Sequence, residues 1–529
     1  MTPHSPQSST RIRWLLIGWL FVLSAVAFLD RVNLSIAGTR LAADYHLSDV
    51  QFGLLSTVFL LGYALLQTPA GWLADRWGPR RVLAGGVIWW GIFTALTAAV
   101  PTGLQNPLLL LLLARFLLGV GEAVMYPCSN QFVARWIPTQ ERGLANGLIF
   151  AGVGVGSAVS PSLITYIMIY HGWRSSFWIC ALLGLAAGLV WFLASRDTPD
   201  QHPMVSASEL ATIRAGLALG NKQLPGDMAL ASDRSNASRV VPWDKILKHR
   251  EVRLITFSYF CYGYVAWIFF AWFFIYLARV RGMNLKSSAF YGTLPFLAMA
   301  VGCAVGGSLA DLLTKRVSRR AGRCGVAAVG LALSGAFLAS GSMVDNAPLA
   351  SVILAGGAGA LYLSQSSFWA ISADIGGPFS GSLSGFMNMG GQLGGAVTAS
   401  LTPFIAVHFG WTSSFLVAAA LALLSSAAWL VVDPDGPLDP IILAASKRSS
   451  TYKRSLPVTG CRKFETRRLR RWLLSGPRKA DWNDHGNSSH QWELVGPSKS
   501  IMRFLAKRFL VRNCSRVANN LSELFESLQ

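Results

Sequence analysis

Four ionisable residues interrupt long apolar stretches early in this chain: Asp30, Arg31, Arg115 and Glu122. An ionised side chain at the centre of a membrane helix costs at least about 2.5 kcal/mol, so each of them is a candidate for function. Arg115 and Glu122 are seven residues apart, which is nearly two helical turns, so one helix presents both on the same face. We expect that face to point away from lipid, toward water and polar partners.

The chemistry that these residue types support is proton transfer and anion binding. A buried carboxylate changes its protonation when a neighbouring guanidinium approaches or withdraws, so Asp30 and Glu122 are candidates for loading and releasing a proton. Arg31 and Arg115 stay charged at any relevant pH and offer a planar fork that matches a carboxylate, which suits an organic anion. The alternative is that each acid neutralises an arginine in a permanent buried pair that holds helices together.

The composition indicates a membrane protein, because 52% of the 529 residues are hydrophobic and only 13% are charged. A bilayer core needs about 20 apolar residues per helical crossing. Twelve stretches meet this requirement and predict an all-α integral membrane fold. We number these spans 1 to 12, near residues 14–37, 49–72, 80–100, 106–129, 143–168, 172–194, 253–279, 285–313, 323–344, 348–372, 380–407 and 411–432.

An internal repeat divides the spans into two six-helix bundles. Three pairs of segments match at offsets of 236, 238 and 238 residues: GWLADRWGPRR (71–81) with GSLADLLTKRVSRR (307–320), GLANGLIFAGVGVGSAV (143–159) with GSLSGFMNMGGQLGGAV (381–397), and GWRSSF (172–177) with GWTSSF (410–415). In such parallel repeats a substrate site forms near the membrane midplane, and access alternates as the halves rock. The predicted divisions are a first bundle at 1–195, a central loop at 196–251, a second bundle at 252–433 and a tail at 434–529.

Basic residues set the predicted orientation. The loops at 75–81, 135–142 and 315–323 and the central loop are basic and lie on one side, which predicts that this side and both termini are cytoplasmic. The loop that holds Arg279, Arg281 and Lys286 lies on the other side and counts against this assignment, but it is outnumbered. We expect a multi-pass protein of the plasma membrane, or of the inner membrane in a Gram-negative cell.

The net charge of +21 does not predict nucleic-acid binding. Residues 441–529 contain 18 Lys and Arg against 6 Asp and Glu, so this tail holds over half of the excess. A basic amphipathic segment near 501–528 is one interpretation of the tail, with membrane lipid as its partner. The other is a disordered appendage. The seven cysteines form no CxxC pair, and neither a disulfide framework nor a metal site is indicated.

Eight segments, taken together and in order, resemble the anion:cation symporters of the major facilitator superfamily, whose members carry sugar acids and related organic anions. The resemblance covers about 11–433 and rests on FLDRVNLSIA (28–37), YALLQTPAGWLADRWGPRR (63–81), ARFLLGVGEAVMYP (114–127), RWIPTQERG (135–143), VPWDKILKHREV (241–252), WFFIYL (272–277), ADI (373–375) and SGFMNMGGQLGG (384–395).

The resemblance implies a role for each candidate. Arg31 is the expected contact for the substrate anion, Asp30 and Glu122 the protonatable pair, and Arg115 the support of Glu122. Hydrogen-bonding residues are expected to line the substrate cavity with Arg31: Tyr63, Gln67, Trp272, Ser364, Gln365, Asn388 and Gln392. For these residues, helix packing or anchoring at the membrane interface is the alternative.

The same resemblance identifies DRWGPRR (75–81) as the signature gate of the superfamily. The implied gate residues are Gly71, Asp75, Arg76, Gly78, Arg80, Arg142 and, in the second half, Asp311. Asp75 is expected to pair with basic groups on a neighbouring helix, with Arg142 the first candidate, while Gly71 and Gly78 permit the turn. The loop after Asp311 is longer and lacks the Gly-Pro turn.

The leading hypothesis is a monomeric, proton-coupled importer of a small organic acid such as an aldonate, aldarate or hexuronate. It needs no cofactor beyond the coupling proton. A transporter-like metabolite sensor and a carrier of aromatic acids are the alternatives. An enzyme is disfavoured because the spans contain no HExxH, no GxxxxGK[ST] and no paired histidines at metal-binding spacing.

Overall fold

Long helices make up most of the protein that the computed structural model describes, residues 9–220, 241 and 243–435. In the first half these helices are span 1, Ile12–Asp44; span 2, Asp49–Trp77; span 3, Pro79–Ala99; span 4, Pro107–Glu122 and Met125–Trp136; span 5, Arg142–His171; and span 6, Trp173–Ala194. In the second half they are span 7, Arg250–Ala271; span 8, Leu285–Arg316; span 9, Arg320–Gly325 and Val326–Met343; span 10, Ala347–Leu363 and Gln365–Gly376; and spans 11 and 12, Ser380–Val431.

Ten of the described helical stretches are long and apolar enough to cross a membrane. The last, Ala347–Val431, has 85 residues and is too long for one crossing. It is interrupted at Ser364, at Gly377 (φ 48°) and at Gly410 (φ 84°), which divides it into spans 10, 11 and 12. The described chain therefore has the twelve crossings that the apolar pattern predicts.

The internal repeat is visible in the backbone as well as in the sequence. Gly172 joins spans 5 and 6 with φ 80° and ψ 164°, and Gly410 joins spans 11 and 12 with φ 84° and ψ 160°. A side chain at such a positive φ is strained, so glycine is required at both corners. The two glycines are 238 residues apart, which is the offset of the segments that begin with them.

Two glycine seams bring the halves together. At one seam, span 2 packs against span 11, and a Cβ on Gly71 would overlap the carbonyl of Gly381. At the other, span 5 packs against span 8, and Gly143 and Gly307 approach each other in the same way. Because spans 2 and 8 are repeat partners, as are 5 and 11, the two seams are equivalent. Gly71 therefore lies inside span 2 and serves close packing, so the expectation that it permits the turn is wrong.

The central segment is fastened to the start of span 1. Its helix Ala207–Gly220 carries the buried Glu209, whose carboxylate accepts hydrogen bonds from the backbone amides of Ile12 and Arg13 at 3.1 and 3.2 Å. These amides belong to the first turn of span 1 and have no partner within the helix. The predicted boundaries at residues 195, 251 and 433 stay predictions, and nearly all of the tail lies outside the described residues.

Replacing Gly71 by alanine tests the first seam. The new methyl group meets the backbone of span 11, so we expect this packing to lose about 1–3 kcal/mol, with a lower thermal unfolding midpoint of the purified protein. Gly85→Ala on span 3 is the matched control, since a Cβ there meets no atom within 4 Å. Equal midpoints for the two variants would contradict the seam.

Candidate functional site

A cavity of about 200 Å³ lies between the two halves. The first half lines it with spans 1, 2, 4 and 5, and the second half with spans 7, 10 and 11. Of the residues that the sequence predicts for the substrate site, the lining includes Arg31, Tyr63, Gln365, Asn388 and Gln392, and the predicted supporting charge Arg115 also lines it.

Arg31 connects the cavity to a buried acid. Its Nε donates a hydrogen bond of 2.6 Å to Oε2 of Glu122, which is fully buried. The guanidinium carbon lies 4.2 Å from the ring centroid of Tyr63 and 4.7 Å from that of Phe28, so aromatic faces hold the cation in place. Its Nη2 has no hydrogen-bond partner among the described residues. One edge of the guanidinium is thus occupied by protein, and the group also borders the cavity.

Arg115, the expected support of Glu122, makes no ion pair with it within 4 Å and acts on it through space. The ion pair within 4 Å joins Glu122 to Arg31 instead. Seven residues of helix separate Arg115 from Glu122 by about 10 Å of rise, which is too far for direct contact although both lie on one face. Asp30 is also buried and accepts a hydrogen bond from the hydroxyl of Thr94 on span 3. The four charges therefore form one buried cluster with a single short ion pair.

Hydrogen-bonding residues of the second half complete the cavity. Gln365 donates to the hydroxyl of Tyr259 at 3.1 Å. Asn388 donates to Oε1 of Gln67 at 2.8 Å, so Gln67 lies one contact behind the lining and ties span 2 to span 11. Gln392 lines the cavity, and its side-chain oxygen has no partner in the described part of the chain.

Two predicted cavity residues lie elsewhere. Ser364 donates to the carbonyl of Leu361 at the interruption of span 10, so its hydroxyl serves the helix. Trp272 follows the end of span 7 and packs near Trp411, with ring centroids 6.4 Å apart. The expectation that these two side chains line the cavity is wrong for this conformation.

The predicted gate residues include two aspartates at equivalent positions of the repeat. Asp75 on span 2 accepts hydrogen bonds from the backbone amides of Gly381 and Ser382 at 2.9 and 2.7 Å. Asp311 on span 8 accepts from those of Gly143 and Leu144 at 2.9 and 2.6 Å. Each aspartate thus caps the first turn of a helix in the opposite half, where free amides and the helix dipole favour an anion. Asp311 keeps this contact without the Gly-Pro turn.

Arg142 has a different partner from the expected Asp75. Its Nη1 lies 2.7 Å from Asp374 on span 10, whereas the carboxylate of Asp75 accepts hydrogen bonds from the amides of span 11. Asp374 also lies 3.3 Å from Arg319 and 3.6 Å from Arg323, and Arg323 pairs more closely with Asp311 at 2.8 Å. These contacts seal the bundle at the end where spans 2 and 8 finish, and the cavity lies farther from that end.

The remaining gate residues stay within the first half. Gly78 has φ 90° and forms the turn between spans 2 and 3. Arg76 lies over the ring of Trp72, with 5.3 Å to the centroid. Arg80 donates to the carbonyl of Phe192 at the end of span 6. In this conformation Arg76 and Arg80 therefore position the turn, and Asp75 makes the contact across the interface.

Comparisons with known proteins identify the family. Residues 20–397, well over half of the chain, match the family described as the Major Facilitator Superfamily. The chain belongs to this superfamily. A probable sulfoacetate transporter of Cupriavidus necator is 31% identical over 426 residues, which are 80% of this chain and 94% of that protein. A probable galactarate/D-glucarate transporter of Bacillus subtilis is 28% identical over 87% of this chain and 98% of its own length.

Solved structures agree on the fold of this superfamily member. The transporter FucP in its outward conformation matches with a TM-score of 0.59 and 17% identity, over 80% of this chain and 98% of its own. The proton:xylose symporter XylE matches with a TM-score of 0.61 and 14% identity, over 82% and 98%. The predicted fold class is confirmed, and the protein is a membrane transporter rather than an enzyme.

Sequence reasoning missed the aromatic wall of this transporter. Tyrosine and tryptophan rings from both halves line the cavity: Tyr126, Tyr259, Tyr262, Trp267 and Tyr362. A signal for part of it was present in FSYFCYGYVAWIFF (257–270), where cavity residues recur every three or four positions of span 7. Aromatic residues also fill lipid-facing and packed positions, which hides such a pattern in a membrane helix.

Replacing Asp374 by asparagine tests the shared ion-pair cluster. Removing the acid leaves the buried Arg142 without its carboxylate partner, so we expect a loss of about 3–5 kcal/mol and a clearly lower thermal unfolding midpoint. Asp435→Asn is the control, because Asp435 makes an exposed pair with Arg319 at 3.1 Å that contributes about 1 kcal/mol at most. If both variants unfold at the same temperature, Asp374 does not hold the seal.

Proposed function

We propose that this transporter is a proton-coupled symporter of a small organic anion, with Arg31 as the anion contact and Glu122 as the main proton carrier. The observation that carries this proposal is the pair itself: a guanidinium that lines the cavity also donates a 2.6 Å hydrogen bond to a buried carboxylate. The relatives whose names include sulfoacetate, galactarate/D-glucarate and hexuronate support the class of substrate.

Coupling follows from competition for one cation. While Glu122 is ionised, it neutralises Arg31 and weakens the attraction of the guanidinium for a second anion. A proton on Glu122 removes that charge, so Arg31 becomes available to a carboxylate in the cavity with its bidentate geometry. Anion and proton therefore stabilise each other's binding, which is the linkage a symporter requires. Asp30, next to Arg31 in span 1, is proposed as the second proton site.

The cavity lining suits a polyhydroxylated acid. Gln365, Asn388 and Gln392 offer amide donors and acceptors opposite Arg31, and tyrosine hydroxyls add further groups. Sugar acids need several such partners around one carboxylate. We propose alternating access in which the sealed end, with its basic loops, faces the cytoplasm of the plasma membrane, and in which the two seams open to release the anion.

Replacing Glu122 by glutamine tests proton coupling. The variant cannot ionise, so we expect uptake driven by a pH gradient in proteoliposomes to be lost, while exchange of substrate across the membrane persists. Glu251→Gln is the matched control, since Glu251 is also buried but caps the end of span 12 through the amide of Asp433. Accumulation against a gradient by the Glu122 variant at the wild-type level would refute the assignment.

Replacing Arg31 by lysine tests the anion contact. Lysine keeps the charge but lacks the planar guanidinium, which can hydrogen-bond to Glu122 and to the carboxylate of a ligand at the same time. We therefore expect at least about a tenfold loss of affinity for the transported anion. Arg40→Lys on the same helix is the control, because Arg40 is exposed and lies outside the cavity lining. Binding measured by calorimetry would contradict the assignment if the two variants retained equal affinity.

A further inference from the structure

A second guanidinium at the cavity, that of Arg115, has no role in the proposed coupling through Arg31 and Glu122. Arg115 lines the cavity and is only 1% exposed. Its Nε and Nη1 have no hydrogen-bond partner in the described part of the protein, and no carboxylate there lies within 4 Å of it. The guanidinium carbon lies over the ring of Phe59, 5.0 Å from the centroid.

An unpaired buried arginine is costly to maintain. A guanidinium keeps its proton in proteins, so it cannot escape burial by becoming neutral, and it needs either a counter-ion or hydrogen-bond acceptors. Asp30 and Glu122 each have one oxygen without a hydrogen-bond partner, but neither acid forms an ion pair with Arg115 within 4 Å in the described residues, so both act on it only through space. The group that satisfies the nitrogens of Arg115 must therefore come from the cavity.

Arg31 and Arg115 approach the cavity side by side. The ring of Phe59 lies next to both, with the guanidinium carbon of Arg31 5.5 Å from its centroid. A ligand with one anionic group can engage only one fork fully, and it leaves the other arginine unpaired. We propose that the substrate is a dianion, such as a dicarboxylate or a sulfocarboxylate, with one anionic group on Arg31 and the other on Arg115.

The charges of the cluster match this proposal. Two arginines and two ionised acids, Asp30 and Glu122, balance in the empty cavity. A dianion adds two negative charges, and one proton on each acid restores neutrality. In a medium of low dielectric constant such balance decides whether a loaded cavity is stable. The inference rests on the proposed function and specifies its substrate class.

Matched pairs of acids test the proposal with the purified full-length protein. The pairs are gluconate with glucarate, butyrate with succinate, and acetate with sulfoacetate; each pair has a common carbon skeleton and differs by one anionic group. We expect at least tenfold tighter binding of the dianion in at least one pair, measured by calorimetry. Dianions that bind no more tightly than their monoanions in every pair would overturn the proposal.

Variants at position 115 locate the second contact. Arg115→Gln is expected to remove the preference, so that the dianion binds as weakly as its monoanion, while the affinity for the monoanion changes little. Arg115→Lys is expected to restore part of the preference, because it keeps the charge. A uniform loss for both acids of a pair would show that Arg115 only supports the fold and would overturn the assignment.

The outcomes separate this inference from the function it rests on. Binding of both acids of a pair with equal affinity, dependent on Arg31, leaves the organic-anion function standing and rejects the dianion. If no acid of the three pairs binds to the wild-type protein, the organic-anion function fails together with this inference. An unliganded thermal unfolding curve for each variant confirms that a folded protein was tested.

Discussion

The arrangement of the first bundle depends on the cost of keeping charge away from water. Arg31 and Glu122 come from different spans, and neither is tolerable alone at the depth where they meet. Their pairing links spans 1 and 4 and sets the position of the guanidinium at the cavity. The same contact is the one on which the proposed coupling of proton and anion rests.

Closure of the bundle uses one device twice. Asp75 and Asp311 each accept two backbone amides from a helix of the other half, beside a glycine seam. The duplication of the sequence thus extends to the chemistry of the interface. Asp374 departs from this symmetry, since its three arginine neighbours come from spans 5 and 9 and the turn before span 9. The closed end therefore combines two carboxylate–amide contacts with one cluster of ion pairs, and Arg323 connects them because it lies 2.8 Å from Asp311 and 3.6 Å from Asp374.

The helices were predictable because apolar length is a strong signal in a membrane chain. Large differences occur at ends such as Asp44 and Trp136, where the helices continue beyond the apolar stretch, and at Ala271, where span 7 ends before the predicted residue 279. The twofold repeat and the position of Arg31 beside an internal cavity also followed from residue types and offsets. The ion-pair partners of the buried charges could not be predicted in this way. Whether Arg142 meets Asp75 or Asp374 depends on packing across more than 200 residues of chain, and nothing in the local sequence distinguishes two buried acids.

The cavity was only partly predictable for a related reason. Gln365 and Asn388 were expected in its wall, whereas Ser364, one residue away, turns to its own helix. A membrane helix has apolar surroundings on most sides, so hydrophobic periodicity does not show which face meets the cavity. The interruption of span 10 at Ser364 adds a change of direction that regular spacing cannot anticipate.

The glycine seams have a consequence for how such a protein diversifies. Where Gly71 meets Gly381 and Gly143 meets Gly307, the halves touch through main-chain atoms, which are the same whatever side chains surround them. Mutations that reshape the walls of the cavity leave this contact surface unaltered. Substitutions that change which ligand fits the cavity can therefore accumulate in evolution without altering the backbone contacts between the two halves.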